Sequence, residues 1–234
     1  MQEITIFTDG SSLGNPGPGG WGSIVHIHKG AEVHELGGSD PKTTNNRMEM
    51  TAVIEALNFL GMQKIDEPNV TVFTDSQYII NGITKWVHGW QANGWMTKTK
   101  VPVLNKDLWQ KLVEAVKGKE IDWHYVEGHA GIPGNERVDG IATSFAAGEQ
   151  TPLFKGKAAD YPVDIKNLAP AYAGTAKKKS SSAKAYSYLS MVDGKIETHK
   201  TWIECEKRVK GKSAKFKKTF SKVEEEDLIK EWLK

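Results

Sequence analysis

Phe7-Thr8-Asp9-Gly10-Ser11 and Phe73-Thr74-Asp75-Ser76-Gln77 are one short phrase written twice: an apolar strand that ends in Phe-Thr and then an aspartate. Around the first copy, Ile4 to Thr8 alternates in strand fashion, and Gly22 to His28 and Val33 to Leu36 read as further strands. Arg47 to Leu60 has helical spacing. The second copy closes a strand at Val70 to Thr74. Helices near Ser76 to Ile83 and Lys106 to Val116, a strand at Ile121 to Val126 and a helix from about Asn135 to Ala147 follow. Strands in succession, then strand and helix in alternation, define an α/β fold with a mixed sheet flanked by helices. If the two Phe-Thr-Asp strands are parallel neighbours, both carboxylates emerge at one sheet edge, where open α/β sheets place ligands.

Two more carboxylates join them. Glu49 keeps register with Ala52, Val53, Ala56 and Leu60, on the stripe that should face the sheet, where a lone carboxylate is costly unless something pairs with it. Asp139 stands beside the stripe Val138, Ile141, Ala142 and Phe145 of the last helix. Singly, each has a plainer reading: Asp9 and Asp75 as turn or helix caps, Glu49 at a rim, Asp139 as a first-turn charge favoured by the helix dipole. Four together invite divalent cations, which take oxygen ligands.

The 234 residues suit one ordinary domain and a small second one, and 38% hydrophobic with 26% charged excludes disorder throughout and a fibrous repeat. No stretch reaches the roughly 18 apolar residues of a membrane span, and the first residues lack a secretory pattern, so nothing argues for export. The single cysteine, Cys205, makes neither an internal disulfide nor a cysteine-based zinc site, and a reduced, cytoplasmic setting is expected. Charge is uneven. Residues 1–150 carry 12 Lys/Arg against 18 Asp/Glu, a net of −6, and residues 151–234 carry 19 against 11, a net of +8. Such a contrast points to a polyanionic partner for the basic part.

A domain boundary falls at residues 151–184, of which Gly174 to Lys184, rich in Lys and Ser, reads as the most flexible part of a linker. Leu153, Phe154, Tyr161, Val163 and Ile165 leave open whether residues 151–173 pack on the first domain. In residues 185–234, Asp193-Gly194 is a hairpin signal, and Thr201 with Glu204 and Ser221 with Glu224 match helix capping boxes. The expected order is ββαβα.

The phrases Phe7-Thr8-Asp9-Gly10-Ser11, Thr43-Thr44-Asn45-Asn46-Arg47-Met48-Glu49, Thr74-Asp75-Ser76-Gln77-Tyr78, Gly128-His129-Ala130-Gly131 and Asn135-Glu136-Arg137-Val138-Asp139 resemble bacterial ribonuclease H type 1. The resemblance covers residues 1 to about 147. It implies a five-stranded mixed sheet and cleavage of the RNA strand of RNA/DNA hybrids, leaving 3′-hydroxyl and 5′-phosphate ends. Asp9, Glu49, Asp75 and Asp139 would hold two Mg²⁺ ions, with Mn²⁺ as an alternative and Asp9 as the bridge. His129 would transfer a proton or help the product leave, and Glu136 would be an accessory acid. Asn15, Asn45 and Gln77 match positions that touch the minor groove of the hybrid, and Thr44 a pocket for a phosphate of the DNA strand. One segment departs from the pattern. Trp86 to Lys98 keeps tryptophans where some relatives carry a basic protrusion, which puts tight binding by this domain alone in doubt.

Tyr188, then Thr201-Trp202-Ile203-Glu204-Cys205, then Ala214-Lys215-Phe216-Lys217-Lys218 resemble the hybrid-binding, viroplasmin-like domain of eukaryotic ribonucleases H, where it precedes the catalytic domain. Tyr188, Trp202 and Phe216 would form an aromatic surface on the nucleic acid, with Lys217 and Lys218 on phosphates. The competing reading buries all three aromatics in a small core. The expected partners are RNA/DNA hybrid and, for the C-terminal domain, double-stranded RNA, with no membrane and a monomeric chain. The alternatives are a non-catalytic hybrid-binding protein and a DNA-cutting nuclease on the same fold.

Overall fold

The computed structural model of the protein describes residues 4–65, 69–170, 185–192, 194–210, 212, 214–219 and 221–232. The chain divides into two compact units, Met1–Gly174 and Thr175–Lys234.

In the first unit, β1 (Ile4–Ser12), β2 (Gly17–Ile27) and β3 (Glu32–Thr43) form an antiparallel meander, and α1 (Asn45–Met62) leads to β4 (Asn69–Thr74). Next come α2 (Gln77–Asn81), a π-helical turn (Gly82–Trp86), α3 (Val87–Ala92), α4 (Lys106–Ala115), β5 (Glu120–Tyr125) and α5 (Pro133–Ala146). A short β6 (Lys155–Lys157) closes the sheet at the far edge, giving the order β5-β4-β1-β2-β3-β6. β4 and β5 run parallel to β1. The sheet is mixed, as expected, but it has six strands instead of five.

Both faces of the central strands are covered, and the alternation of each strand divides its apolar side chains between the two faces. Ile4, Ile6, Val70 and Val72 pack with α1 and α4 in one core, while Phe7, Ile24 and Phe73 pack with Val138 of α5 in the other. The Phe7 and Phe73 rings stack at 4.8 Å. α5 can approach the sheet because glycines lie beneath it: a Cβ on Gly20 would sit 2.3 Å from the Ala142 carbonyl oxygen, and one on Gly22 would sit 2.6 Å from that of Val138.

The sixth strand corrects the linker. Residues 155–157 pair with Glu32–His34, Ile165 is buried, and Phe154 and Tyr161 pack against the α5-side core. The physical cause is Glu35, which is 5% exposed and must find donors. It takes the Phe154 amide at 2.9 Å and the Tyr161 hydroxyl at 2.7 Å, so the chain beyond residue 150 is bound to the first unit before any linker starts. The segment 174–184 lies outside the described residues.

The second unit is β7 (Ser187–Val192), β8 (Lys195–His199), α6 (Trp202–Val209), β9 (Ala214–Thr219) and α7 (Lys222–Trp232), with an antiparallel sheet in the order β8-β7-β9. This is the ββαβα order. The Thr201 hydroxyl accepts the Glu204 amide at 3.3 Å, and the Glu204 carboxylate accepts the Thr201 amide at 3.2 Å, closing the capping box. Asp193 of the hairpin signal lies outside the described residues, and of the second box Ser221 immediately precedes α7. Among the described residues, Leu189, Val192, Cys205, Val209 and Leu228 are the buried apolar ones of this unit.

Candidate active site

Thr8 of β1 lies opposite Thr74 of β4 in parallel register, so Asp9 and Asp75 stand side by side where the pairing of β1 with β4 ends, although β1 itself continues to Ser12 along β2. α1 brings Glu49 to them across Gly10, where a Cβ would stand 2.1 Å from the Glu49 amide nitrogen. No other residue type permits that approach. The carboxylate oxygens of Asp9, Glu49 and Asp75 fall within 4.8 Å of one another. Asp139 on α5 and His129 complete a cleft of about 230 Å³, lined also by Gly10, Ser11 and Asn45.

The side chains are fixed by bonds that sequence reasoning did not find. Glu49 accepts Asn45 Nδ2 at 2.9 Å and the Ser76 hydroxyl, and Ser76 in turn caps α2 through the Ile79 amide. Asn135, 2% exposed at the start of α5, hydrogen-bonds to Asp75. Both residues stood inside quoted phrases, yet a serine or asparagine beside an acidic residue in sequence gives no sign of which carboxylate it will meet. Glu136 accepts the Gly131 amide at 2.9 Å and so ties α5 to the loop that carries His129. On that loop His129 has φ +54° and an 80% exposed side chain, with Nδ1 3.7 Å from Asp139 Oδ2. A Cβ at Gly128 would lie 2.5 Å from Asp75 Oδ2 and would push that carboxylate aside.

The electrostatics are those of an anionic hole. Burial, then repulsion from Asp75, Asp139 and Glu49, push the Asp9 carboxyl up to about 8, against a hydrogen bond from the Gly10 amide. Burial likewise raises Glu49 and Asp75, against the bonds from Ser76 and Asn135. The two arginines nearest in sequence are turned away. Arg47 makes a two-pronged pair with Asp107, and Arg137 makes one with Glu35. Among the described residues lining the cleft there is no Lys or Arg.

Asn15 lies in the turn between β1 and β2, Thr44 is the residue before α1, and Gln77 opens α2. All three sit at the same end of the sheet as Asp9, but only Asn45 of the expected substrate contacts lines the cleft itself.

A model of the RNase H family matches residues 1–147. The chain belongs to the ribonuclease H family. A ribonuclease H of Cupriavidus metallidurans is 53% identical over 151 residues, covering 64% of this chain and 100% of its own. One of Hyphomonas neptunium is 55% identical over 139 residues, covering 59% and 89%. Among solved structures, LC9-RNase H1, described as a type 1 RNase H with the type 2 active-site motif, is 32% identical with a TM-score of 0.58, over 74% of this chain and 97% of its own. The first unit is thus a ribonuclease H enzyme, a nuclease and hydrolase, and the family generally uses divalent metal ions. Among the described residues no helix is long and apolar enough to cross a membrane.

Within the ribonuclease H unit, the tryptophan-rich segment is partly internal. Trp90 packs 5.5 Å from Trp109, whose Nε1 donates to the Tyr78 hydroxyl at 3.0 Å, while Trp86 is 40% exposed. In the second unit the three expected aromatics form one row: Tyr188 to Trp202 at 5.8 Å and Trp202 to Phe216 at 5.4 Å. Trp202 and Phe216 are exposed, while Tyr188 is half-buried against the small core, so the row runs from the core edge out onto the surface. Lys218 lies opposite Tyr188 in the sheet and shares the face of Phe216, whereas strand alternation turns Lys217 to the other face.

Proposed function

We propose that the protein is an endoribonuclease that hydrolyses the RNA strand of RNA/DNA hybrids with two divalent cations, Mg²⁺ or Mn²⁺, and that its C-terminal unit binds the same hybrid. The observation that carries the first part is the convergence of four carboxylates from β1, α1, β4 and α5 in a cleft whose described lining holds no cation. Asp9 raised to about 8 by burial and like charge fits a site completed by divalent metal, since such a carboxylate ionises fully at neutral pH only beside a cation. Asp9, Glu49, Asp75 and Asp139 would hold the ions, with Asp9 shared. When bound, the pair supplies a water acidified near neutrality and neutralises the leaving oxygen of an in-line displacement.

The chain's own groups do the rest. Ser76 and Asn45 hold Glu49, and Asn135 holds Asp75, so the ligands are oriented before substrate arrives. Water adds to phosphorus and the P–O3′ bond breaks, leaving a 3′-hydroxyl and a 5′-phosphate. The attacking water gives up a proton to solvent, and His129, exposed on its loop and close to Asp139, would deliver a proton from a ring nitrogen to the departing 3′-oxygen. Asn15, Asn45 and Gln77 contact the minor groove, where the 2′-hydroxyl marks RNA, and Thr44 a DNA phosphate.

The binding role of the second unit rests on the Tyr188-Trp202-Phe216 row, of which Trp202 and Phe216 are exposed, with Lys218 on its face and Lys217 on the same strand, in a unit whose residues 175–234 carry 16 Lys/Arg against 9 Asp/Glu, a net of +7. That surface fits a sugar-phosphate strand read by shape, including double-stranded RNA, and a single chain carries both parts. The test is a gel in which each strand is labelled in turn in hybrid, double-stranded RNA and DNA duplexes, with Mg²⁺ or chelator. Asp75→Asn should abolish cleavage of the RNA strand while hybrid binding persists, and cleavage within about tenfold of the parent overturns the metal assignment.

A further inference from the structure

Away from the active site, the first unit holds a second cavity of about 640 Å³ between the far end of β2 and the segment that follows β6. His26 lies opposite Thr5 at the start of β1, four residues from Asp9, which at the rise of a strand is about 13 Å from the carboxylates. One wall is the pair of imidazoles of His26 and His28, with ring centroids 4.1 Å apart and planes 33° from parallel. The other is apolar, from Tyr161, Val163 and Ile165, with Lys166 and Asp164 among the lining residues. This second wall lies beyond the residues matched to the ribonuclease H family, which end at 147.

The volume is that of a pocket for a small organic molecule. His26 is 6% exposed, and the His28 ring is held by a 3.0 Å hydrogen bond between its Nε2 and the Thr5 hydroxyl, so the wall is preformed and leaves His28 Nδ1 unused by that bond. Burial, then His28 and then Lys166 hold His26 down to about 4, and burial and Lys166 lower His28 as well. The charges acting on the two rings are therefore cationic, although Asp164 lines the same cavity. Both imidazoles are thus neutral near pH 7, and Lys166 is the one lysine or arginine among the lining residues, so the cavity suits a small anion whose flat apolar body lies on the neutral rings. A dication would meet Lys166, and no third ligand joins the histidines among the described residues.

We propose that this cavity binds a small organic anion, with its flat body against the His26 and His28 rings and its carboxylate or phosphate at the Lys166 ammonium.

The test titrates the full chain, without metal, with phenyl phosphate, benzoate and inorganic phosphate, following the ring protons of the histidines by NMR. Phenyl phosphate or benzoate should shift His26 and His28 and leave His129 unmoved, with whichever anion fits binding at least about tenfold more tightly than inorganic phosphate. Lys166→Ala, a change at an exposed position, should weaken that binding at least about tenfold, and His26→Ala should abolish it. If phosphate binds as tightly as the aromatic anions, the flat-body part is wrong. If Lys166→Ala leaves affinity unchanged, or neither aromatic anion moves the two histidines at millimolar concentration, the site is wrong. Should His26→Ala fail to fold, Lys166→Ala and the choice among anions still decide.

Discussion

Arg137 and Glu35 stand 102 residues apart in the chain and meet in a two-pronged ion pair, Nε to Oε1 at 2.7 Å and Nη2 to Oε2 at 2.6 Å. Arg137 lies on α5 between Glu136 and Asp139, and Glu35 lies on β3, so the pair fixes the helix that carries part of the active site to the sheet. The same guanidinium donates to the Pro152 carbonyl at 3.0 Å, and the same carboxylate collects Phe154 and Tyr161.

Glu35→Ala should therefore destabilise the first unit by on the order of 3 kcal/mol, because it strands a partly buried guanidinium. The wild-type pair also predicts an acid limb. Burial alone would raise Glu35, but the bonds from Arg137, the Phe154 amide and Tyr161 outweigh it and hold the carboxyl below its usual range. The native state thus binds that proton less readily than the unfolded chain. The contribution is complete above 4.5 and is lost as pH falls below it. Urea melts from pH 3 to 7 should show a steeper decline for the parent than for Glu35→Ala.

Asp9 has the opposite sign. With its carboxyl raised to about 8, the metal-free protein holds this proton more tightly when folded. Its stability should fall as pH rises from 4 towards 8, and divalent metal should cancel the fall. Asp9→Asn should raise the melting temperature in chelator at pH 8 by several degrees while abolishing cleavage. Calorimetry of both proteins with EDTA and with Mg²⁺ checks this, and an equal melting temperature for the two in EDTA contradicts it.

His129→Ala should slow turnover far less than Asp9→Asn, since in the proposed role an exposed histidine on a loop would assist a proton transfer that solvent can also perform. Steady-state rates of the two variants decide, and equal losses count against an auxiliary role.

Where the chain is cut matters. Truncation after residue 150 removes β6 and two of the donors to Glu35, and should yield a markedly less stable enzyme. Truncation after 170 keeps them. It should raise KM for hybrid strongly, by loss of the basic C-terminal unit, with little change in single-turnover rate. A 1–150 fragment as stable as 1–170 in urea would contradict the role given to Glu35.

In the second unit, Trp202→Ala should weaken hybrid binding by about 1 to 3 kcal/mol if its ring stacks on the nucleic acid. Lys218→Ala should reduce the salt slope of binding by about one phosphate contact, and Lys217→Ala should reduce it less, because the two side chains point to opposite faces. Equal slopes for both variants would mean that the aromatic face is not the contact.

The central strands and the carboxylates were legible because each is a local pattern of alternation and then an acid, but their ends were not: β1 runs on through Asp9 to Ser12, paired with a β2 that starts at Gly17. β3 was not fully legible. It continues past Leu36 to Thr43 through Gly37, Gly38 and Ser39, residues that disfavour strands, because a Cβ at 37 would strike the Phe145 ring of α5. β6 was invisible, since Lys-Gly-Lys has no strand signal and is held by its pairing with β3 and by the anchors on either side. Ser76 and Asn135 as supports for Glu49 and Asp75 depend on contacts between distant segments, which no spacing in the sequence encodes.

Gly10 gives the site a property that no carboxylate supplies. The separation of Glu49 from Asp9 is set by backbone touching backbone, with no side chain between them to flex or be trimmed. Anyone grafting the proposed metal site onto another sheet would have to transplant residue 10 along with the four acids. Placed on a strand with any side chain at that position, the same acids would stand too far apart to share an ion.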